Sequence, residues 1–178
     1  MSLKRWIKLG EKTIFNNSHW SYNLDEFQIE GGTKGEYHYV HTLGSSMVVP
    51  FTSENTILLV KQFRYLNQKE SIEFPCGAIE ENLTPQENAL KELREETGKS
   101  GKLKYIGEFS PYTGAADEMC SVFIANNLTD SPLQKDDTEE FELLEFSIDE
   151  FEKLIKQNII WDGLTLSSWL LTKNYLEI

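Results

Sequence analysis

Strands interleaved with a central helix and a helical C-terminus predict an α/β or α+β fold in a single domain, and three observations carry this expectation. Thr84 and Glu87 form a capping box, Pro85 falls at the first helical position, and Gly98 stands where a left-handed cap ends a helix. A helix is therefore expected over Pro85–Thr97, in the middle of the chain. The run Ile57-Leu58-Leu59-Val60 is apolar throughout, as suits a strand covered on both faces. Ser147 with Glu150, and later Asp162, supply caps for two further helices. With 178 residues, 39% of them hydrophobic, residues 1–178 are sized for one domain that buries a real core.

The chain opens with strand-like pieces near 6–15 and 20–29, parted by the turn-rich Asn16-Asn17-Ser18. The break Gly31-Gly32-Thr33-Lys34-Gly35 closes this piece, which reads as an N-terminal antiparallel strand unit over 1–35. Strands near 37–42, 46–51 and 56–64 follow, with Ser53-Glu54-Asn55 as the turn between the latter two. After the central helix come strands near 103–110 and 119–125, a polar loop over 126–139 and a strand near 140–146. The helix capped by Ser147 should run to about Gln157. The one capped by Asp162 carries Leu164, Leu166, Trp169, Leu170 and Leu171 on a surface that belongs in a core. There is no internal repeat.

At 100° per residue the central helix sorts into three stripes. Ala89, Leu90, Leu93 and Thr97 can face a core, Glu87, Lys91 and Arg94 face water, and Glu92, Glu95 and Glu96 converge on one patch. Like charges at this spacing each cost roughly 0.2–0.5 kcal/mol, and these lie near the negative end of the helix dipole. Helix stability gives no reason for the patch beyond a solvated acidic end. A hard divalent cation such as Mg²⁺ or Mn²⁺ does, because it prefers oxygen ligands and commonly bridges carboxylates to phosphates.

Seventeen basic against 29 acidic residues give a net charge of −12, which argues against a nucleic acid polymer as partner. A small phosphorylated substrate arriving with its own metal is compatible. Two cysteines, Cys76 and Cys120, without metal-type spacing, and the lack of a signal-like or long apolar run, indicate a cytoplasmic protein that does not enter a membrane. No His stands beside either cysteine in a nucleophile signature. His38 and His41, three apart on a strand, point to opposite faces and make poor co-ligands.

The frame Gly77, Glu92, Leu93, Glu95, Glu96 and Gly98 resembles the Nudix box, Gly-x5-Glu-x7-Arg-Glu-U-x-Glu-Glu-x-Gly-U, with U a bulky aliphatic residue. Leu83, Lys91 and Lys99 depart from it, standing where the family has Glu, Arg and an aliphatic residue. In the family that Glu and Arg pair to brace the loop against the helix. The resemblance implies a Nudix-type α/β/α sandwich around a mixed β-sheet, with 36–178 as the Nudix core. Further stretches resemble the subgroup that splits ADP-ribose and other nucleoside diphosphate sugars: 60–65, 71–77, 110–118 and 139–142.

That resemblance implies roles residue by residue. Glu92 and Glu96 would be the main metal ligands, Glu95 an auxiliary ligand or orienting group, and the backbone carbonyl of Cys76 a further ligand. Arg64, Glu73, Asp117 and Glu118 would meet the substrate, and Glu139 would direct or deprotonate the attacking water. Trp6, Trp20 or Tyr22 could stack on a base, and the N-terminal strands would help to form a homodimer. The implied activity is Mg²⁺- or Mn²⁺-dependent hydrolysis of a nucleoside diphosphate derivative to a nucleoside monophosphate and a sugar phosphate. Two alternatives remain open: a Nudix enzyme for another diphosphate, such as a dinucleotide, GDP-mannose or a nucleoside triphosphate, and a Nudix-fold module that binds a nucleotide sugar without catalysis.

Overall fold

The computed structural model describes residues 3–134, 138 and 140–177. Two sheets divide the strands between them. β1 (Trp6–Asn16), β2 (Ser21–Ile29) and β3 (Lys34–His41) form an antiparallel sheet in that order, with Trp6 opposite Ile29 and Ser21 opposite His41. The glycine break turns out to be a hairpin, with Gly31 at φ +67°, that folds β3 back on β2. The strand expected near 37–42 thus joins the N-terminal sheet, and that sheet continues past Gly35 to His41. The Asn17 side chain fastens the first turn by accepting from the backbone N–H groups of His19 and Trp20, at 2.8 and 2.9 Å.

The second sheet is mixed. Its path is β10 (Glu142–Ser147), β5 (Thr56–Arg64), β4 (Ser45–Ser53), β9 (Cys120–Asp130) and β8 (Lys99–Phe109), with β6 (Lys69–Glu73) on β5 and β7 (Cys76–Ala78) on β4. β4 and β9 run parallel and the other pairs antiparallel. β6 and β7 had no counterpart among the expected strands, since each is short and Pro75 stands between them. β9 continues through residues first read as loop, reaching Asp130 by pairing with Lys99.

Alternation along β4 organises the layers. Met47, Val49 and Phe51 enter one apolar cluster with Phe74, Phe151, Ile160 and Trp169, while Val48 enters another with Ala89, Leu93 and Phe123. Helix α1 (Pro85–Thr97) therefore covers one face, and α2 (Ile148–Lys156) with α3 (Gly163–Leu176) covers the other. This is an α/β/α sandwich. Ile57, Leu58, Leu59 and Val60 are all buried, as their unbroken apolar run requires.

All three helices begin where their caps were read. Thr84 accepts from the Glu87 N–H and Ser147 from the Glu150 N–H, each in a reciprocal box, and Asp162 accepts from the Thr165 N–H at 2.7 Å. Gly98 ends α1 at φ +70°. The buried stripe of α3, however, is Thr165, Ser168, Trp169 and Thr172. Leu170 is 61% exposed, because its position rotates it away from that i, i+3, i+4, i+7 stripe, and Leu164, Leu166 and Leu171 pack only in part. Among the described residues no helix is long and apolar enough to cross a membrane.

Candidate active site

The caps of α1 fix its rotation, and its rotation divides the acidic patch. Glu92 and Glu95 are half-buried and line a cleft of about 1120 Å³, whereas Glu96 is buried behind them. Glu118, from the loop before β9, and residues 16–21, the β1–β2 turn that carries Trp20, line the same cleft, together with Cys76, Gly77, Glu80 and Glu81. A helix from the core and a turn from the N-terminal sheet therefore bound one space.

Gly77 is required by close approach. A Cβ built there would fall 2.3 Å from the Glu92 carboxylate, so the bare backbone forms the seat on which that carboxylate rests. The Glu92 and Glu95 carboxylates beside the Cys76–Gly77 backbone are hard-oxygen donors of the kind Mg²⁺ or Mn²⁺ prefers over soft ligands, and among the described residues no three His, Cys, Asp or Glu side chains are grouped closely enough to hold an ion. The Cys76 thiol adds nothing nucleophilic. Its hydrogen bond to Cys120, its burial and the negative charges of Glu96 and Glu92 all push its pKa up, which keeps it protonated.

The loop 111–119 is stitched to the end of β3. Val40 donates its N–H to the Ala115 carbonyl (2.8 Å) and accepts from the Asp117 N–H (3.2 Å), while the Tyr37 hydroxyl donates to the Gly114 carbonyl (3.2 Å). The Asp117 carboxylate accepts from the Thr42 N–H at 3.2 Å and lies 2.6 Å from His41 Nδ1. Next to it, the Ser45 hydroxyl donates to Glu118 at 2.7 Å.

Of the residues singled out in the sequence, Glu92, Glu95, Glu118 and the Cys76 backbone meet at the cleft. Asp117 stands at its edge through His41, which lines it. Arg64 and Glu73 are not part of this lining. They form a bidentate pair, with Arg64 Nε donating to Glu73 Oε1 at 2.8 Å and Nη2 to Oε2, and Glu73 is wholly buried. That bond raises the Arg64 pKa against the opposing effect of burial, and burial with the nearby Glu73 charge raises Asp162. Glu139, with Asp136 and Asp137, lies outside the described residues. Sequence reading missed His41, Ser45, Glu80 and Asn88. Only Asn88 left a signal, as a polar residue beside Ala89 on the covered side of α1.

A cleft lined by Gly77 and by the Glu92 and Glu95 carboxylates of α1, set on an α/β/α sandwich, is a space where a phosphorylated substrate and a divalent cation can meet. The NUDIX domain family matches residues 41–164. The chain is 30% identical over 156 residues to a methanol dehydrogenase activator from Bacillus methanolicus, covering 86% of this chain and 84% of that protein. It is 29% identical over 160 residues to an ADP-ribose pyrophosphatase from Bacillus subtilis, covering 88% and 86%. The crystal structure of an ADP compounds hydrolase superposes with a TM-score of 0.86 over 99% of this chain and 97% of that one, at 18% identity. The chain belongs to the NUDIX domain family and is a pyrophosphohydrolase. Enzymes of this family generally use divalent metal ions such as Mg²⁺.

Proposed function

We propose that the chain hydrolyses the diphosphate bond of ADP-ribose or a related nucleoside diphosphate sugar, with Mg²⁺ or Mn²⁺, giving a nucleoside monophosphate and a sugar phosphate. The observation that carries this is the single cleft shared by Glu92 and Glu95, Glu118 and the Trp20 turn. Its volume of about 1120 Å³ suits a nucleoside joined to a sugar through two phosphates. Similarity to the Bacillus subtilis ADP-ribose pyrophosphatase supports the substrate class.

In this reading Glu92, Glu96, Glu95 and the Cys76 carbonyl hold the metal. When bound, the divalent ion would neutralise the diphosphate and sharpen the attacking water. Glu139 takes a proton from that water, whose oxygen bonds to one phosphorus while the bridging P–O bond breaks and the bridging oxygen leaves on the other phosphate. Glu118, held by Ser45, and Asp117, held by Thr42 and His41, orient the sugar end. Trp20, at the cleft wall, is placed to stack on the base, a role for which Trp6 and Tyr22 are not among the lining residues. Arg64 pairs with Glu73 at the end of β6 and offers its remaining N–H groups to substrate or to a second copy of the chain.

The N-terminal sheet presents Trp6, Ile7, Ile14 and Phe15 as exposed apolar residues, which supports a homodimer. Inorganic phosphate released by a secondary phosphatase, measured across ADP-ribose, other nucleotide sugars, dinucleotides and nucleoside triphosphates with Mg²⁺ and Mn²⁺, tests the reading. The highest kcat/KM is expected for a nucleoside diphosphate sugar; a preference for a triphosphate overturns the substrate class, and no turnover overturns catalysis.

A further inference from the structure

Leu83 and Lys91 stand where the box has the Glu and Arg that the resemblance implies would pair, and two other contacts tie the box loop to α1. Asn88, wholly buried at the fourth position of α1, accepts through Oδ1 from the Glu80 N–H (3.3 Å) and donates through Nδ2 to the Gly77 carbonyl (3.4 Å). The Lys91 ammonium lies 3.2 Å from Glu80 Oε1 and also bonds Glu95. A buried amide inside a helix is not a choice made for stability, since alanine is the better helix former and carries no polar atoms to satisfy. Both ends of the Asn88 amide are spent on one segment, 77–80. That segment is the seat of the Glu92 carboxylate, and it follows directly on the Cys76 carbonyl.

We propose that Asn88, together with the Glu80–Lys91 ion pair, is a positioning device that replaces the missing brace. It holds segment 77–80 against α1 and so sets where the Glu92 carboxylate and the Cys76 carbonyl stand for a divalent cation. Lys91 joins the loop carboxylate Glu80 to the helix carboxylate Glu95, while Asn88 clamps the backbone beneath them. The substitution of Leu83 is tolerated because the loop is held from the helix side by a residue three positions before Lys91 in sequence. This inference deepens the diphosphate-hydrolase reading and rests on it.

The test is titration of the whole protein with Mn²⁺ alone, the free ion being read by its paramagnetic resonance signal, alongside thermal melting of the metal-free protein and kcat on ADP-ribose. Asn88→Ala is expected to melt within a few degrees of wild type yet bind Mn²⁺ about 10- to 100-fold more weakly, as removal of groups that orient metal ligands does. Adding Leu83→Glu with Lys91→Arg to Asn88→Ala should bring Mn²⁺ binding back to within about threefold of wild type, the non-additivity expected of two devices with one task. Asn88→Ala with Mn²⁺ affinity within about twofold of wild type overturns the proposal, as does a loss that the added pair does not restore. If Asn88→Ala fails to fold, the exposed Glu80→Gln serves in its place: weaker Mn²⁺ binding with an unchanged melt supports the device, and unchanged binding overturns it. Should Mn²⁺ binding follow the expected pattern while wild type cleaves no diphosphate, the device stands and the hydrolase reading falls. Turnover by wild type with no effect of either variant is the reverse result. A wild type that binds no Mn²⁺ overturns both.

Discussion

Gly77→Ala isolates the seat of one carboxylate. The new methyl group would sit 2.3 Å from the Glu92 carboxyl group, whereas ordinary contact begins at 3.4 Å, so the carboxylate must withdraw by about 1 Å. The obstructing atoms are the end of a flexible side chain, and no left-handed φ is involved, so the backbone can stay in place. Alanine also narrows the unfolded ensemble, which favours the folded state by about 0.4–1 kcal/mol and offsets part of the repacking cost. The melting temperature should therefore move by only a few degrees. Activity should not survive so well, because a misplacement of about 1 Å in a reacting constellation costs on the order of 100-fold, or about 2.7 kcal/mol in the barrier. Steady-state kcat at saturating Mg²⁺, with melting followed in parallel, separates the two quantities. A variant retaining activity within about threefold of wild type would refute the role of this seat. A collapse of the melting temperature together with activity would show that Gly77 serves packing instead.

Other expectations follow from the same geometry. Glu96→Gln should keep the fold and lower kcat by at least about 10²-fold, with weakened Mn²⁺ binding; near-wild-type turnover at saturating metal would remove Glu96 from the ligand set. Glu139→Gln should lower kcat while leaving Mn²⁺ affinity nearly unchanged, and an equal fall in both would make Glu139 a ligand. In the otherwise wild-type chain, Leu83→Glu with Lys91→Arg should raise kcat by less than about tenfold, under about 1.4 kcal/mol, while activation of an inert protein would mark the natural box as degenerate. The Glu150 carboxyl is held below its ordinary value of 4.5 by bonds from the Ser147 hydroxyl and backbone. Because the folded value is the lower one, the stabilisation is present above the ordinary value and is lost as pH falls through the folded value. Glu150→Ala should thus melt below wild type at about pH 7, and the gap should narrow as pH falls below the ordinary carboxylate value; a gap indifferent to pH refutes the cap's ionic character.

What the sequence made legible was local. The bounds of α1 follow from Thr84, Pro85, Glu87 and Gly98, each acting within a few residues, and the structure reproduces them to the residue. The sandwich followed once the box was read on that helix. Partner choice among strands was not legible, because β3 could pair with β2 or with the core and only the hairpin at Gly31 decides. The same holds for Arg64 and Glu73. Each was read singly as facing substrate, but Arg64 stands opposite Lys69 and Glu73 opposite Val60, so their bond runs along the β5–β6 ladder and could not be seen without it. Leu170 misled because apolar character was counted without its angular position on α3. Asn88 was visible but mute, since its amide acquires meaning only when the 77–80 segment folds back over it.

The stitching of loop 111–119 to β3 ties the N-terminal sheet to residues that border the cleft. Any force or partner that shifts β3 along its axis is passed through Val40, Thr42 and His41 to Asp117, and Glu118 moves with it. Shortening the chain from its N-terminus would strip β3 of β2 and slacken this linkage, even with every core residue left in place. Inactivity of such a truncated chain would report a loosened cleft wall as much as a lost subunit contact. Replacing exposed Trp6 or Ile7 by a charged residue leaves the linkage intact, and that comparison separates assembly from leverage.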